Sequence, residues 1–172
     1  MLENIISEVT TRKDRPKQKA ARLLLWGTPL TEAGFVDMIE SLNANVVMDD
    51  ICTGTRHFWD DVEIEAEPLD GIAKRYLEKI KCPRTFRESA GSFEKEMEIR
   101  FGYLKDYAKE WKVDGVILQS VKYCDTHGYE VPAVKKYFDK MGIPSLYLEH
   151  EYSMIAEAPL KNRIEAFLEL LE

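Results

Sequence analysis

The chain has 172 residues, of which 45% are apolar and 32% are charged, and its formal net charge is −7. This length predicts a single hydrophobic core, and the acidic balance with scattered basic residues argues against a nucleic-acid-binding protein. No apolar run approaches the ~20 residues of a membrane span, and the first residues lack the features of a signal peptide. We therefore expect a cytoplasmic protein that is not bound to a membrane, with Cys52, Cys82 and Cys124 as reduced thiols.

The first twenty residues predict a helix followed by a linker. Apolar residues recur at helical spacing from Leu2 to Val9, and a basic stretch containing Pro16 follows. A helix this short has little to bury by itself. We interpret residues 1–20 as the remnant of a preceding domain and residues 21–172 as one α/β domain.

Four short apolar runs predict the strands of that domain, at residues 23–26, 45–48, 116–118 and 145–148. The first and third runs show no polar alternation, as expected for strands that are covered on both faces. Apolar residues at helical spacing lie between these runs and after the last one. Ser92 is the expected N-cap of the longest helix, and Trp111 lies in the stripe of that helix that faces the core. Alternating strands and helices predict a doubly wound parallel sheet of order 2-1-3-4, a flavodoxin-like or Rossmann-like three-layer sandwich.

The carboxyl ends of parallel strands meet at one edge of a sheet, where ligands bind in doubly wound folds. Gly27 and Thr28 leave the first strand there, and Tyr123 and Cys124 leave the third. We expect the remaining polar groups of this edge to lie in loops after the second and fourth strands, namely Asp49, Asp50, Cys52, Arg56, Glu149, His150 and Glu151.

These residues fit more than one chemistry. Nucleophilic catalysis by Cys124 would need a base, for which His127 and His150 are candidates. A zinc site could draw on Cys52, Cys124 and His150 with a carboxylate, although their spacing matches no known zinc motif. A lone cysteine is also often just a small buried side chain, the interpretation that we favour for Cys82. The residues alone leave the role of Cys124 open.

Two segments resemble the 2-hydroxyacyl-CoA dehydratase and benzoyl-CoA reductase family, in its 2-hydroxyglutaryl-CoA dehydratase D-component type. They are DDICTGTRHFW, from residue 49, and DGVILQSVKYCDTHGYEVPAVKKYFDKMGIPSLYLEHEY, from residue 114. In that family, cysteines hold a 4Fe-4S cluster between two similar α/β domains. The thiol of the K-x-C segment maps onto Cys124, so the resemblance implies Cys124 as a cluster ligand and metal-binding residue.

The resemblance also implies a substrate site at this edge of the sheet. The D-D-x-C-T-G loop of the family maps onto Asp49, Asp50, Cys52, Thr53 and Gly54, with Cys52 as a lining residue. Together with the strand exits, we expect the substrate site to be lined by Gly27, Thr28, Asp50, Thr53, Gly54, Lys122, Tyr123, Glu149 and His150.

The chemistry implied by the resemblance is one-electron reduction of a CoA thioester. An ATP-dependent iron-sulfur activator protein injects the electron. In the dehydratases this gives a ketyl radical that loses water, and in the reductases it gives a reduced aromatic ring. The segments KYCDTH and LEHEY are more like the benzoyl-CoA reductase branch.

The family's N-terminal domain, with the other cluster cysteines, has no counterpart here. We therefore expect this chain to be the C-terminal part of a subunit, inactive alone, whose partners are that domain and a sister subunit. In isolation it should expose an apolar patch or form a homodimer. The alternative is a non-catalytic flavodoxin-like binding or assembly module.

Overall fold

The computed structural model describes residues 1–13, 21–31, 33–82, 85–152 and 157–172. Its strands are β1 (Ala21–Gly27), β2 (Ala44–Ile51), β3 (Gly115–Val121) and β4 (Ser145–His150). Its helices are α1 (Leu2–Thr11), α2 (Gly34–Glu40), α3 (Thr55–Phe58), α4 (Pro68–Ala73), α5 (Phe93–Glu110), α6 (Asp125–Lys140) and α7 (Glu157–Glu169), and α4 continues into a π-helical turn at Lys74–Glu78.

The four strands form one parallel sheet in the order β2-β1-β3-β4. This arrangement confirms the predicted doubly wound sheet with β1 and β3 at its centre. Every residue of β3 is buried, and β1 is buried except for half-buried Arg22. The apolar runs predicted this result, because a central strand that is covered on both faces has no position for a solvated side chain.

Successive side chains of β1 point to opposite faces of the sheet and seed two separate cores. Leu23 and Leu25 pack in one core with residues of α2 and α7, and Leu24 and Trp26 pack in the other with residues of α5 and α6. The result is the predicted three-layer sandwich. Each of these side chains is at most 1% exposed, so burial of each contributes about 1.5–3 kcal/mol.

Two strands extend further than the apolar runs indicated. β2 ends at Ile51 and β4 ends at His150, so Asp50 and Glu149 lie within strands and not in the loops predicted for them. The same correction applies to Asp49 and His150. The reason is that their backbones stay paired with neighbouring strands, as in Trp26 with Asp50 and Val121 with His150.

The helices agree with most of the predicted pattern. The Ser92 side chain accepts a hydrogen bond from the Lys95 backbone N–H at 3.4 Å, which confirms the predicted N-cap. Trp111, which we expected in the core, is only half-buried and caps the end of α5. The spacing of Ile72, Tyr76, Leu77 and Ile80 also predicts a short helix that ends before Pro83. A helix is present there, but Ile72 and Tyr76 are exposed. The predicted linker at residues 14–20 and the predicted helix stop at residues 83–84 lie outside the described residues.

Helix α1 forms as predicted and buries none of its residues. Its large apolar side chains, from Leu2 to Val9, are at least half exposed. Further apolar side chains are exposed between Phe58 and Leu77, as expected if these surfaces normally pack against protein. Within the described ranges, no helix has the length and apolar character required to cross a membrane.

Candidate functional site

The exit of β1 is locked onto β3. Gly27 has a φ of +147°, and a Cβ at this position would lie 1.9 Å from the carbonyl oxygen of Gln119, so a side chain has no room. The next residue, Thr28, donates from Oγ1 to Gln119 Oε1 at 2.8 Å and accepts from Gln119 Nε2 at its carbonyl at 2.6 Å. Thr28 and Gln119 are both buried. The two strand exits that flank the switch point are therefore held as one rigid unit.

His150 extends this network from β4. Its Nε2 lies 2.8 Å from Gln119 Oε1, and its ring lies against Phe35 with 4.8 Å between centroids. Because Gln119 Nε2 donates to a carbonyl, Gln119 Oε1 is the acceptor, and His150 Nε2 must carry the hydrogen. His150 is buried while Glu149 is exposed. The strand end thus uses His150 to hold the sheet edge together and presents Glu149 to solvent.

A strained turn carries the chain from β3 to Cys124. The Cys124 N–H donates to the Val121 carbonyl at 3.1 Å, and Tyr123 between them has a φ of +66°. This left-handed conformation is costly for a bulky residue, and Tyr123 is 95% exposed. Lys122 forms an exposed ion pair with Glu151 at 2.8 Å, and that hydrogen bond raises the pKa of Lys122 above its ordinary value. The turn leaves both side chains on the outer surface.

Cys124 is half-buried and is the N-cap residue of α6. Its Sγ lies 3.4 Å from His127 Nδ1 and 3.4 Å from Thr126 Oγ1. The His127 ring is buried and meets Trp26 edge-on, with 5.4 Å between centroids. The sulfur therefore lies among polar hydrogen-bonding groups at the carboxyl edge of the sheet, unlike a structural cysteine in an apolar core.

A second polar cluster surrounds Asp50 at the end of β2. Asp50 is fully buried and accepts hydrogen bonds from Arg56 Nε at 3.0 Å, Arg56 Nη2 at 2.7 Å and the Tyr103 hydroxyl at 2.8 Å. Burial opposes the charge on Arg56, but the paired Asp50 outweighs it and raises the pKa of the guanidinium. Burial, reinforced by the Asp50 charge, raises the pKa of Tyr103 well above its ordinary value. Arg56 was expected at the rim and instead is an internal counter-ion.

Cys52 borders this cluster, because Arg56 Nη1 donates to its Sγ at 3.3 Å. The loop after Cys52 is shaped by Asp49, which accepts from the Thr55 N–H at 2.9 Å and from the Thr55 hydroxyl at 2.8 Å. A Cβ on Gly54 would lie 2.0 Å from Asp49 Oδ1, so the carboxylate needs glycine there. Thr53 is exposed. The spacing of acidic residues, thiol and glycine is thus explained locally by loop construction.

The structure connects some of the predicted site residues and separates others. Cys124 is linked through His127 to Trp26, next to Gly27, and Gly27 is linked through Gln119 to His150. Asp50, Arg56 and Cys52 form the other cluster. Among the described residues, no group of three or more His, Cys, Asp or Glu side chains could hold a metal ion. If Cys124 binds a metal centre, the other ligands must therefore lie outside the described residues.

Sequence reasoning missed Gln119 and Tyr103. Gln119 had a signal, because a glutamine directly after the apolar run of residues 116–118 in a strand buried on both faces requires a buried partner. Tyr103 had none, because its partner Asp50 is 53 positions away in the sequence.

Comparison with known proteins places the chain in a family. The family model described as HGD-D, 2-hydroxyglutaryl-CoA dehydratase, D-component, matches residues 1–171. The chain is 26% identical over 170 residues to the (R)-phenyllactyl-CoA dehydratase beta subunit of Clostridium sporogenes, covering 99% of this chain and 43% of that protein. It is 21% identical over 172 residues to the lactoyl-CoA dehydratase subunit beta of Anaerotignum propionicum, covering 99% and 44%.

The chain therefore spans less than half the length of these curated relatives. The family match nevertheless runs through almost the whole chain and through both clusters described above. This protein belongs to the 2-hydroxyglutaryl-CoA dehydratase D-component family.

Proposed function

We propose that this chain forms part of the catalytic subunit of a CoA-thioester dehydratase and that Cys124 is a ligand of its 4Fe-4S cluster. The observation that carries the proposal is the position of Cys124 Sγ, half-buried and hydrogen-bonded at the carboxyl edge of the sheet. The two relatives named as dehydratase beta subunits support the reaction class. Since both are dehydratases, they favour dehydration over the ring reduction that the KYCDTH segment suggested.

The residues around Cys124 suit a cluster ligand. Iron-sulfur clusters are held by cysteine thiolates, and hydrogen bonds to the sulfur tune them. Cys124 Sγ has hydrogen-bonding neighbours in His127 Nδ1 and Thr126 Oγ1 at 3.4 Å each. Cys124 would supply one ligand of such a cluster, so the remaining ligands would come from the part of the relatives that this chain does not span. The bound cluster would supply one-electron transfer to the thioester.

The residues of the chain itself position that sulfur. His127 is held by edge contact with Trp26 in the core, so its Nδ1 is fixed relative to Cys124. Trp26 is in turn paired with Leu118 and Asp50 in the sheet. The sulfur of Cys124 is therefore oriented by groups that are themselves packed in the core, as a redox centre with a defined environment requires.

The partners follow from the same proposal. The complete subunit would contain the missing cluster-binding domain, a sister subunit would share the active site, and an ATP-dependent iron-sulfur activator would deliver the electron. The exposed apolar side chains of α1 and of residues 58–77 are candidate contact surfaces for these partners.

The test is anaerobic reconstitution with iron and sulfide, followed by iron and acid-labile sulfide analysis. The purified chain alone should take up little iron, and the chain combined with the complementary part of a related subunit should assemble a cluster. A combined sample that folds and associates but takes up no iron would instead favour the non-catalytic binding module.

A further inference from the structure

A small cavity beside α5 is lined by an unusual concentration of cationic side chains. Its volume is about 170 Å³, and Lys79, Lys81, Arg87 and Arg100 line it together with Cys82 and Tyr103. None of the described residues that line it is acidic, although the whole chain carries a net charge of −7. A recess of one sign in a protein of the opposite sign focuses its field on anions.

Two of the four cations keep their charge uncompensated. Lys79 pairs with Glu63, and Arg100 pairs with Glu130. Lys81 and Arg87 pair with no carboxylate in the described part of the chain. The local surplus is therefore two positive charges held on half-buried side chains.

The cationic groups also have N–H donors to spare. Arg87 uses Nη1 and Nη2 to hold the carbonyls of Phe86 and Ile80 at 2.9 and 3.0 Å, which fixes its guanidinium and leaves other N–H groups unused. Arg100 Nε is buried and has no acceptor among the described residues. Lys81 Nζ stands over the rings of Tyr107 and Trp59, at 5.5 and 5.8 Å from their centroids. Preorganised donors of this kind bind phosphate oxygens.

The cavity lies between the two clusters of the candidate site. Tyr103 in its wall hydrogen-bonds Asp50 at the end of β2. Arg100 contacts Glu130 of α6, about 8 Å along the helix axis from the first residue of that helix. Since α6 begins directly after Cys124, the cavity adjoins the helix that follows the thiol, and Cys124 itself is not among the lining residues. Its volume is below the roughly 300–1,000 Å³ of pockets that enclose a whole drug-sized ligand, so it suits one charged group of a larger molecule.

We propose that this cavity binds the phosphate groups of the CoA part of the thioester substrate. The inference rests on the proposed function for the choice of CoA, and on the cationic side chains for the choice of phosphate. CoA carries its diphosphate and 3′-phosphate at the end remote from the thioester, so these groups need an anchor away from the reacting carbonyl. Binding energy from such remote groups positions the reacting end of a substrate.

Calorimetric titration of the purified chain with CoA, pantetheine and ATP tests the assignment. CoA should bind, pantetheine should bind at least about tenfold more weakly because it lacks the nucleotide phosphates, and ATP, which also carries phosphates, should compete with CoA for the cavity. Lys81→Gln and Arg87→Gln should each weaken CoA binding by about tenfold without changing the binding of pantetheine. Lys161→Gln removes a cation from α7, on the other face of the sheet, and should change nothing. Urea midpoints equal to that of the parent chain would show that the variants are folded.

Absence of CoA binding, failure of ATP to compete with CoA, or unchanged affinity in Lys81→Gln and Arg87→Gln would each overturn the assignment. Failure here is distinguishable from failure of the proposed function, because cluster content is measured separately. Lys81→Gln in the reassembled subunit should still hold the parent amounts of iron and sulfide, whichever way the titrations come out.

Discussion

Replacing Arg56 with alanine should severely destabilise the chain. Arg56 and Asp50 have side chains that are 2% and 0% exposed, and their closest N–O distance is 2.7 Å. The guanidinium supplies two of the hydrogen bonds to the Asp50 carboxylate and another to the Asp50 carbonyl at 2.6 Å. The variant would leave a buried carboxylate whose remaining side-chain donor among the described residues is the Tyr103 hydroxyl.

The size of the effect follows from that burial. Removing one partner of a buried ion pair costs about 3–5 kcal/mol, a large share of the roughly 5–15 kcal/mol that stabilises a typical domain. With a urea m-value of about 2 kcal/mol per M, a loss of about 4 kcal/mol lowers the urea midpoint by about 2 M. Adding Asp50→Asn to the variant should recover much of the loss, because the amide carries no charge that needs a counter-ion.

Urea denaturation followed by circular dichroism measures these midpoints. Lys105→Ala is the matched control, because it removes a cation whose partner Glu98 lies 3.9 Å away at the surface, and it should cost less than about 1 kcal/mol. If Arg56→Ala unfolds at the same urea concentration as the control, Arg56 is not the internal counter-ion described above, and its role as a ligand-binding residue of the rim would be restored.

Three further predictions concern the turn, the buried tyrosine and the thiols. Tyr123→Gly should raise the free energy of unfolding by about 1 kcal/mol, because glycine adopts a positive φ without strain and the lost side chain is exposed; a lower melting temperature would contradict this. Because burial raises the pKa of Tyr103 in the folded state, its contribution to stability is complete below the unfolded pKa of about 10 and is lost as pH rises above it. Tyr103→Phe should therefore flatten the fall in urea midpoint as pH rises above about 10, and an unchanged fall would show that other groups cause it. Iodoacetamide followed by peptide mass spectrometry should label Cys124 faster than Cys82, and the reverse order would count against a presented thiol.

The fold could be predicted largely because the composition of its central strands indicates that they are buried on both faces. The run Leu23 to Trp26 has no polar residue, and right-handed crossovers then leave few sheet orders to consider. Strand ends were predicted poorly where polar residues continue the ladder. Asp50 and His150 look like loop residues in the sequence. Their burial is stable because Asp50 hydrogen-bonds Arg56 and Tyr103, and His150 hydrogen-bonds Gln119.

The candidate site was predictable to the extent that topology determines it. Parallel strands place the residues after β1 and β3 at the same edge, so Gly27 and Cys124 were expected near each other. Which side chains face one another depends on contacts across the fold. The basic cavity joins residues 79–82 and Arg87 to α5 through tertiary packing, and no local pattern indicates that arrangement.

The most direct test of the account is the cluster content of Cys124→Ser in the reassembled subunit. The chain and its complementary part would be combined anaerobically, reconstituted with iron and sulfide, and analysed for iron, acid-labile sulfide and the electron paramagnetic resonance spectrum of the reduced cluster. We predict that Cys124→Ser folds and associates like the parent chain but loses the intact 4Fe-4S signal, whereas Cys82→Ser retains it. A Cys124→Ser subunit with the parent's iron content and spectrum would contradict the assignment of Cys124 as a cluster ligand.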